Sequence, residues 1–329
     1  MKKQRKLVKV SSGIIFCLTL ILLFAPSGYT QEAFPSKPII SVIPFSAGGS
    51  TDLACRALGT VAPKYLGQPL IPLNKPGAVG TMAGIFTARE KSDGYTIAHL
   101  STGALCTVPL VFDTAFEPSS LKPVLGWSEF PFFIIVRADA PWKNLDEFVN
   151  YVRSNPGLKY THSGPGSFPH LAMEAFAKAA KIKITGVPFK GDTDQITALL
   201  GGHATVSCFT SGAKPLVDSG SLRILVMFNK ERVEGYKVPT VKELGYDLGL
   251  YSPFLGAFVH KDTTDPIVKK LHDSLKKAIE DQEFIEAMDK VGMPIRYVSI
   301  DNMRERIKIE TETSRVLIKE LGLLKKPKE

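Results

Sequence analysis

Pro44-Phe45-Ser46-Ala47-Gly48-Gly49-Ser50-Thr51-Asp52 lies between the extended apolar run Ile39-Ile40-Ser41-Val42-Ile43 and the helical-looking Leu53-Ala54-Cys55-Arg56-Ala57-Leu58. Strand, glycine-rich turn and helix start, in that order, present free backbone N–H groups and the positive end of a helix dipole to an anion. The adjacent glycines Gly48 and Gly49 let the main chain approach a ligand closely, and Ser50, Thr51 and Asp52 are residue types that cap helices. The segment reads as a β-to-α junction ready for an anion.

The same arrangement recurs twice. Ser163-Gly164-Pro165-Gly166-Ser167-Phe168-Pro169-His170 follows a strand pattern ending at His162 and opens the amphipathic stretch Leu171-Ala172-Met173-Glu174-Ala175-Phe176. Ser167 suits the N-cap and Pro169 the first helical turn. Val187-Pro188-Phe189-Lys190-Gly191-Asp192-Thr193 opens a shorter helix that Gly201-Gly202 ends. Converging at one cleft, three such junctions would offer backbone N–H groups and hydroxyls, a chemistry suited to carboxylate or phosphate.

Outward from these loops, short β-rich runs alternate with helical patterns, as in a parallel or mixed α/β sheet. The patterns predict strands over 38–43, 70–73, 96–100, 132–137, 158–162, 184–189, 205–209, 223–228 and 256–260. They predict helices over 51–65, 80–89, 145–154, 169–180, 193–200, 240–244, 265–279, 282–291 and 300–321. Crossings between two domains are expected at 132–137 and 255–259. That places 32–131 plus 255–329 in one α/β domain and 132–254 in another, with a hinge and a ligand cleft between them.

The N-terminus carries Lys2, Lys3, Arg5, Lys6 and Lys9, then an uncharged apolar run from Gly13 to Phe24 and the break Pro26-Ser27-Gly28. That run is shorter than the roughly 20 residues of a membrane span, so residues 1–31 read as a secretory signal peptide and the mature chain as extracytoplasmic; with no clean A-x-A triplet between Ala25 and Ala33, an uncleaved anchor is the other reading. The formal net charge of +9 includes those five bases and no acid in 1–31, which leaves +4 for the rest. So mild an excess, without an aromatic–basic patch or zinc-finger spacing, argues against nucleic acid. Cys55, Cys106 and Cys208, an odd number and widely spaced, make no disulfide framework and read as small buried residues, with one bridge among them as the other reading.

Enzyme signatures are missing from the sequence. No loop matches G-x-x-x-x-G-K-[ST], there is no G-x-S-x-G elbow or H-E-x-x-H pair, and the six histidines lack metal-ligand spacing. The Gly77-Ala78-Val79-Gly80-Thr81-Met82-Ala83-Gly84 run lacks dinucleotide spacing and reads as a turn before a helix. His170 is the histidine placed to meet a ligand, because it opens a helix beside the expected cleft. No cofactor or metal is expected.

Several ordered blocks carry a family resemblance: Phe34-Pro35-Ser36-Lys37-Pro38, the 44–52 loop, Leu66-Gly67-Gln68-Pro69 and Asn74-Lys75-Pro76-Gly77-Ala78. Ser92-Asp93-Gly94-Tyr95-Thr96, the 163–170 loop, Pro188-Phe189-Lys190-Gly191, Ser219-Gly220-Ser221-Leu222-Arg223 and Val238-Pro239-Thr240-Val241-Lys242-Glu243-Leu244-Gly245 follow. The chain resembles the Bug/TctC family, extracytoplasmic solute receptors of tripartite tricarboxylate transport systems. The resemblance implies a type II periplasmic-binding-protein fold and a monomeric, non-catalytic receptor that hands a small carboxylate to membrane transporter subunits. It further implies that Phe45, Ser46, Ala47, Gly48, Gly49, Ser50, Thr51 and Asp52 hold one end of the ligand, and Ser163, Gly164, Gly166, Ser167 and His170 the other. Thr102, Phe189, Lys190 and Asp192 would line the walls.

The chain departs from the family pattern at Lys75, usually arginine, at Phe189, usually tyrosine, and at Asp192-Thr193-Asp194, usually small and apolar. Asp192 has two readings, a helix N-cap or a carboxylate that meets an ammonium or other cation on the ligand; the second favours an amino acid or a cationic carboxylate. A sensor receptor and an enzyme on the same framework are the remaining readings, the enzyme last.

Overall fold

The computed structural model describes residues 34–325, so the signal segment expected over 1–31 lies outside the described residues. The chain folds around two sheets. The first has the order β2-β1-β3-β10-β4-β11, with β1 Ile39–Ile43, β2 Leu70–Asn74, β3 Thr96–Ser101, β4 Leu121–Glu129, β10 Phe254–His260 and β11 Ile295–Val298. The second has the order β7-β6-β8-β5-β9, with β5 Phe133–Arg137, β6 Leu158–His162, β7 Ile184–Pro188, β8 Val206–Phe209 and β9 Leu222–Met227.

The two sheets share one plan. In each, two parallel pairings come first: β1 with β2 and β3, then β6 with β7 and β8. An antiparallel strand is inserted next, β10 in the first sheet and β5 in the second. That inserted strand is the one the chain forms on arriving from the other lobe. This relation is the type II periplasmic-binding-protein topology: an α/β fold of two lobes joined by a hinge, with a cleft between them.

The chain crosses from β4 to β5 over 130–132 and returns from β9 to β10 over 228–253. Asn229 stitches the two crossings together. It is buried, accepts from Phe132 N at 3.0 Å through Oδ1, and donates through Nδ2 to Phe130 O at 2.9 Å.

Helices sit where amphipathic spacing puts them. The Leu145–Ser154 helix buries Leu145, Phe148, Val149 and Val152, one face at helical spacing, and Asn144 caps it by accepting from Glu147 N at 2.9 Å. In the first lobe Trp127 is fully buried and meets His99 and Phe284 edge-on. Cys55, Cys106 and Cys208 are buried and free.

Several elements differ from the sequence expectation, the short helix Lys214–Asp218 among them. β4 and β11 were not expected, and neither was the helix Thr102–Val111. The stretch 240–244 forms a turn instead of a helix. Thr240 and Glu243 there cap each other reciprocally, with Thr240 N donating to Glu243 Oε2 and Glu243 N to Thr240 Oγ1. That is the signature of a helix start, but no apolar face follows to sustain further turns.

Candidate ligand-binding site

Five loops at the C-terminal ends of strands face one another across the cleft, the position where open α/β sheets bind ligands. The first is the 44–52 loop after β1. Its helix begins at Ser50 with Gly49 as N-cap, so Ser50, Thr51 and Asp52 are the first helical residues and none is the N-cap. Gly48 adopts φ +82°, where a side chain would be strained.

Asp52 holds this loop in shape from behind. Its Oδ2 accepts from Gly48 N at 2.9 Å and from Arg56 Nε at 2.8 Å, while Oδ1 accepts from Asn74 Nδ2 at 2.8 Å. Burial pushes its carboxyl pKa up, but the Arg56 guanidinium, the Gly48 N–H and the Asn74 amide together outweigh it and hold the pKa below the ordinary value. Asp52→Ala removes the buried acceptor that joins Gly48, Arg56 and Asn74, donors that water can still reach, and is expected to cost about 1 kcal/mol of stability. Urea denaturation checks this, and an unchanged midpoint would show that the loop needs no such brace.

The second loop, Gly77 to Gly80, has four consecutive residues at positive φ, including Ala78 (+47°) and the β-branched Val79 (+57°). The third follows β3: Ser101 caps the Thr102–Val111 helix by accepting from Gly103 N at 3.1 Å. The fourth is the 163–170 loop, where Ser167 is the N-cap and accepts from His170 N at 3.4 Å. The fifth leads from β7 into the Asp192–Leu200 helix. Gly191 is its N-cap, so Asp192 is not a cap but the first helical residue.

Asp192 reaches across to the other lobe. Its Oδ2 accepts from Ser50 Oγ at 2.6 Å and from Thr210 Oγ1 at 2.7 Å, and the Ser50 and Thr210 hydroxyls also meet each other. Burial raises its pKa above the ordinary carboxyl value, against the pull of the Ser50 and Thr210 hydroxyls and main-chain N–H groups. A second tie runs from Thr193 Oγ1 to Ala47 O at 3.3 Å.

These loops enclose a cavity of about 40 Å³, room for a few water molecules. The 44–52 loop contributes Phe45, Gly49, Ser50 and Thr51; the third loop contributes Ser101, Gly103 and Ala104. Ser163, Ser167, Phe168 and Pro169 face them from the second lobe with Asp192 and Thr210. Val79 and the crossing residues Phe130 and Phe132 complete the wall. Asp192 is the one charged side chain among these lining residues. An outer groove of about 550 Å³ shares Phe45, Val79 and Ser163 with the cavity, and Gly164, Phe189 and Lys190 line it.

The remaining expected site residues lie elsewhere. Ser46, Ala47, Gly48 and Gly166 belong to the loops without lining the cavity, and Asp52 braces from behind. Thr102 is buried, its Oγ1 accepting from Phe254 N at 3.1 Å, so its neighbour Ser101 occupies the wall. His170 turns onto its own loop: Nδ1 accepts from Gly166 N at 3.2 Å, and the ring stacks 4.6 Å from His162. Burial lowers the pKa of both rings, His162 to about 4. Of the lining residues, Val79, Ser101, Gly103, Ala104, Phe130, Phe132, Phe168, Pro169 and Thr210 were not among the expected site residues. Thr210 had a signal, since it follows the end of parallel strand β8 as the first and fourth loops follow theirs.

Two α/β lobes of this strand order, meeting around a cavity fed by helix N-termini, define a solute receptor of the periplasmic-binding-protein class. Residues 54–323 match the TctC family model, described as "Tripartite tricarboxylate transporter family receptor", and the chain belongs to that family. It is a substrate-binding receptor and not an enzyme. The chain is similar to "UPF0065 protein in gbd 5'region" of Cupriavidus necator, 34% identical over 98% of this chain and 99% of that one. Periplasmic binding protein BugD superposes with a TM-score of 0.84 at 28% identity, covering 89% of this chain and 100% of that one. MatC from Rhodopseudomonas palustris with bound malate superposes with a TM-score of 0.80 at 27% identity, covering 87% and 100% of the two chains.

Proposed function

We propose that this chain is exported by its N-terminal segment, works in the periplasm as a monomer, and captures a small organic carboxylate. It would deliver that ligand to membrane subunits of a tripartite tricarboxylate-type transporter. The observation that carries the reading is the set of helix starts at the cavity. Ser50 and Thr51, Gly103 and Ala104, Phe168 and Pro169, and Asp192 each belong to the first turn of a different helix. First-turn N–H groups lack helical partners and carry the positive end of the dipole; Pro169 has none to give, and Gly103 N and Ser50 N are turned to Ser101 and Asp192, so the field of the helix starts and the remaining N–H groups would bind carboxylate without a basic side chain. The family description and the malate bound to a similar receptor support the carboxylate and the transporter. Domain limits of 32–131 plus 255–329 and 132–254 fit the two sheets.

Capture without chemistry is the test. Carboxylates of three to six carbons, added to the purified mature protein, should include one that binds at micromolar or tighter Kd by calorimetry. The same ligand should shrink the radius of gyration in X-ray scattering and be recovered unchanged by mass spectrometry. Recovery of a converted product would sink the receptor reading. Among the described residues no helix is long and apolar enough to cross a membrane.

A further inference from the structure

Among the described residues, the sole charged side chain on the cavity wall is an acid, in a site whose other polar side chains are hydroxyls that suit an acid as ligand. Asp192 lies in the wall with 8% exposure, at the start of one helix and against the start of another. Its Oδ2 takes the Ser50 hydroxyl from one lobe and the Thr210 hydroxyl from the other, at 2.6 and 2.7 Å. The chain's own carboxylate therefore uses the donors that would otherwise serve one end of a doubly charged ligand.

Donors for one further carboxylate remain. Ser101 Oγ accepts from Gly103 N, Ser167 Oγ from His170 N, and Ser163 Oγ from Gln195 Nε2 at 3.3 Å. A hydroxyl that accepts in this way keeps its proton to donate. All three serines line the cavity.

We propose that Asp192 is the specificity-determining residue of this site and that the receptor takes an aminocarboxylate. The ligand's single carboxylate is held by the Ser101, Ser163 and Ser167 hydroxyls, and its ammonium pairs with Asp192. The inference rests on the receptor reading above. A second ligand carboxylate in place of the ammonium would face Asp192 with no cationic side chain on the wall to separate them, and like charges sharing a buried site disfavour each other. An ammonium supplies the counter-charge that burial otherwise denies Asp192, and a buried ion is tolerated when it is paired and hydrogen-bonded.

Matched pairs of equal chain length test this by calorimetry on the mature protein at pH 7. They are malonate with 3-aminopropanoate, succinate with 4-aminobutanoate, glutarate with 5-aminopentanoate, and adipate with 6-aminohexanoate. In at least one pair the amino member should bind wild type at least about tenfold tighter than its diacid. Asp192→Asn should erase or reverse that ratio, and Ser101→Ala should weaken both members alike. Should Asp192→Asn fail to fold, the wild-type ratio decides alone. Tighter binding of the diacids to wild type, or a ratio unchanged in Asp192→Asn, overturns the proposal and leaves the receptor reading standing. Binding of no carboxylate in either column overturns both.

Discussion

Gly49→Trp abolishes ligand capture, lowering affinity at least a hundredfold (about 3 kcal/mol), while the folded state survives. Gly49 is the N-cap of the Ser50–Val61 helix, with φ −77° and ψ 167°, a conformation open to any residue. A Cβ there would stand 3.6 Å from Ser46 O, 3.7 Å from Thr193 Oγ1 and 3.9 Å from Asp192 Cβ, all ordinary contacts. Alanine therefore fits. An indole does not, because two of those three neighbours belong to the opposite lobe, and the ring would keep the lobes apart. Since the clash exists only across the cleft, each lobe keeps its own core and the thermal midpoint should move little. Calorimetry of wild type, Gly49→Ala and Gly49→Trp with the tightest ligand of the three-to-six-carbon panel checks the claim. Wild-type affinity in the tryptophan variant would remove the 44–52 loop from the site.

The second large effect is a pair of opposed pH slopes. Glu310 is buried; its Oε1 accepts from Arg306 Nε and Nη2, its Oε2 has no hydrogen-bond partner among the described residues, and burial pushes its pKa up to about 7 against the pull of Thr102 and Arg306. Between pH 4.5 and 7 the native state keeps a proton that the unfolded chain has released. Stability from Glu310 is therefore complete below 4.5 and falls as pH rises through 7, by about 3 kcal/mol. His99 is fully buried beside Trp127 with neither ring nitrogen hydrogen-bonded, and burial lowers its pKa to about 4. Here the unfolded chain takes up a proton first, below about 6.5, so stability is complete above 6.5 and falls toward pH 4 by a similar amount.

The two slopes offset each other in the wild type. Glu310→Gln should show stability that rises with pH from 4 to 6.5, and His99→Leu stability that falls from 4.5 to 7. Urea denaturation at four pH values separates them. Parallel curves for all three proteins would refute the assignment.

Most of the fold was legible where one face of an element is wet. Leu145–Ser154, Asp265–Ile279 and Gln282–Val291 were expected to the residue, because their apolar stripes repeat at helical spacing against polar faces. β4 was not, because seven of its nine residues are buried, leaving no alternation to read, and Pro123 and Gly126 interrupt it. The Thr102–Val111 helix is buried almost all round and contains Pro109, so its period was hidden as well. The missed helix and the misplaced wall residue are one error: without the helix start, Ser101 had no reason to be its cap.

At the site, loops were readable and neighbours were not. Glycine, serine and proline at strand ends announced the first and fourth loops. Val79, Phe130 and Phe132 reach the cavity only through packing of distant segments, which one sequence does not encode as a local pattern. Asp192 stood between a cap and a ligand group; Gly191 takes the cap, and Ser50 opposite answers the Asp192 carboxylate, a pairing between segments far apart in sequence.

Asn229 decides what kind of movement the lobes can make. One side-chain amide answers a donor and an acceptor of the outgoing chain, Phe132 N and Phe130 O, from the start of the returning one. A slide of one lobe past the other would shear both bonds at once. A swing about the amide keeps them. If the lobes close on a ligand, the two strands of linkage would behave as a pinned door instead of a drawer, and occupancy of the cavity would be expressed outside the protein as an angle. A membrane partner that touches both lobes can read that angle without touching the ligand.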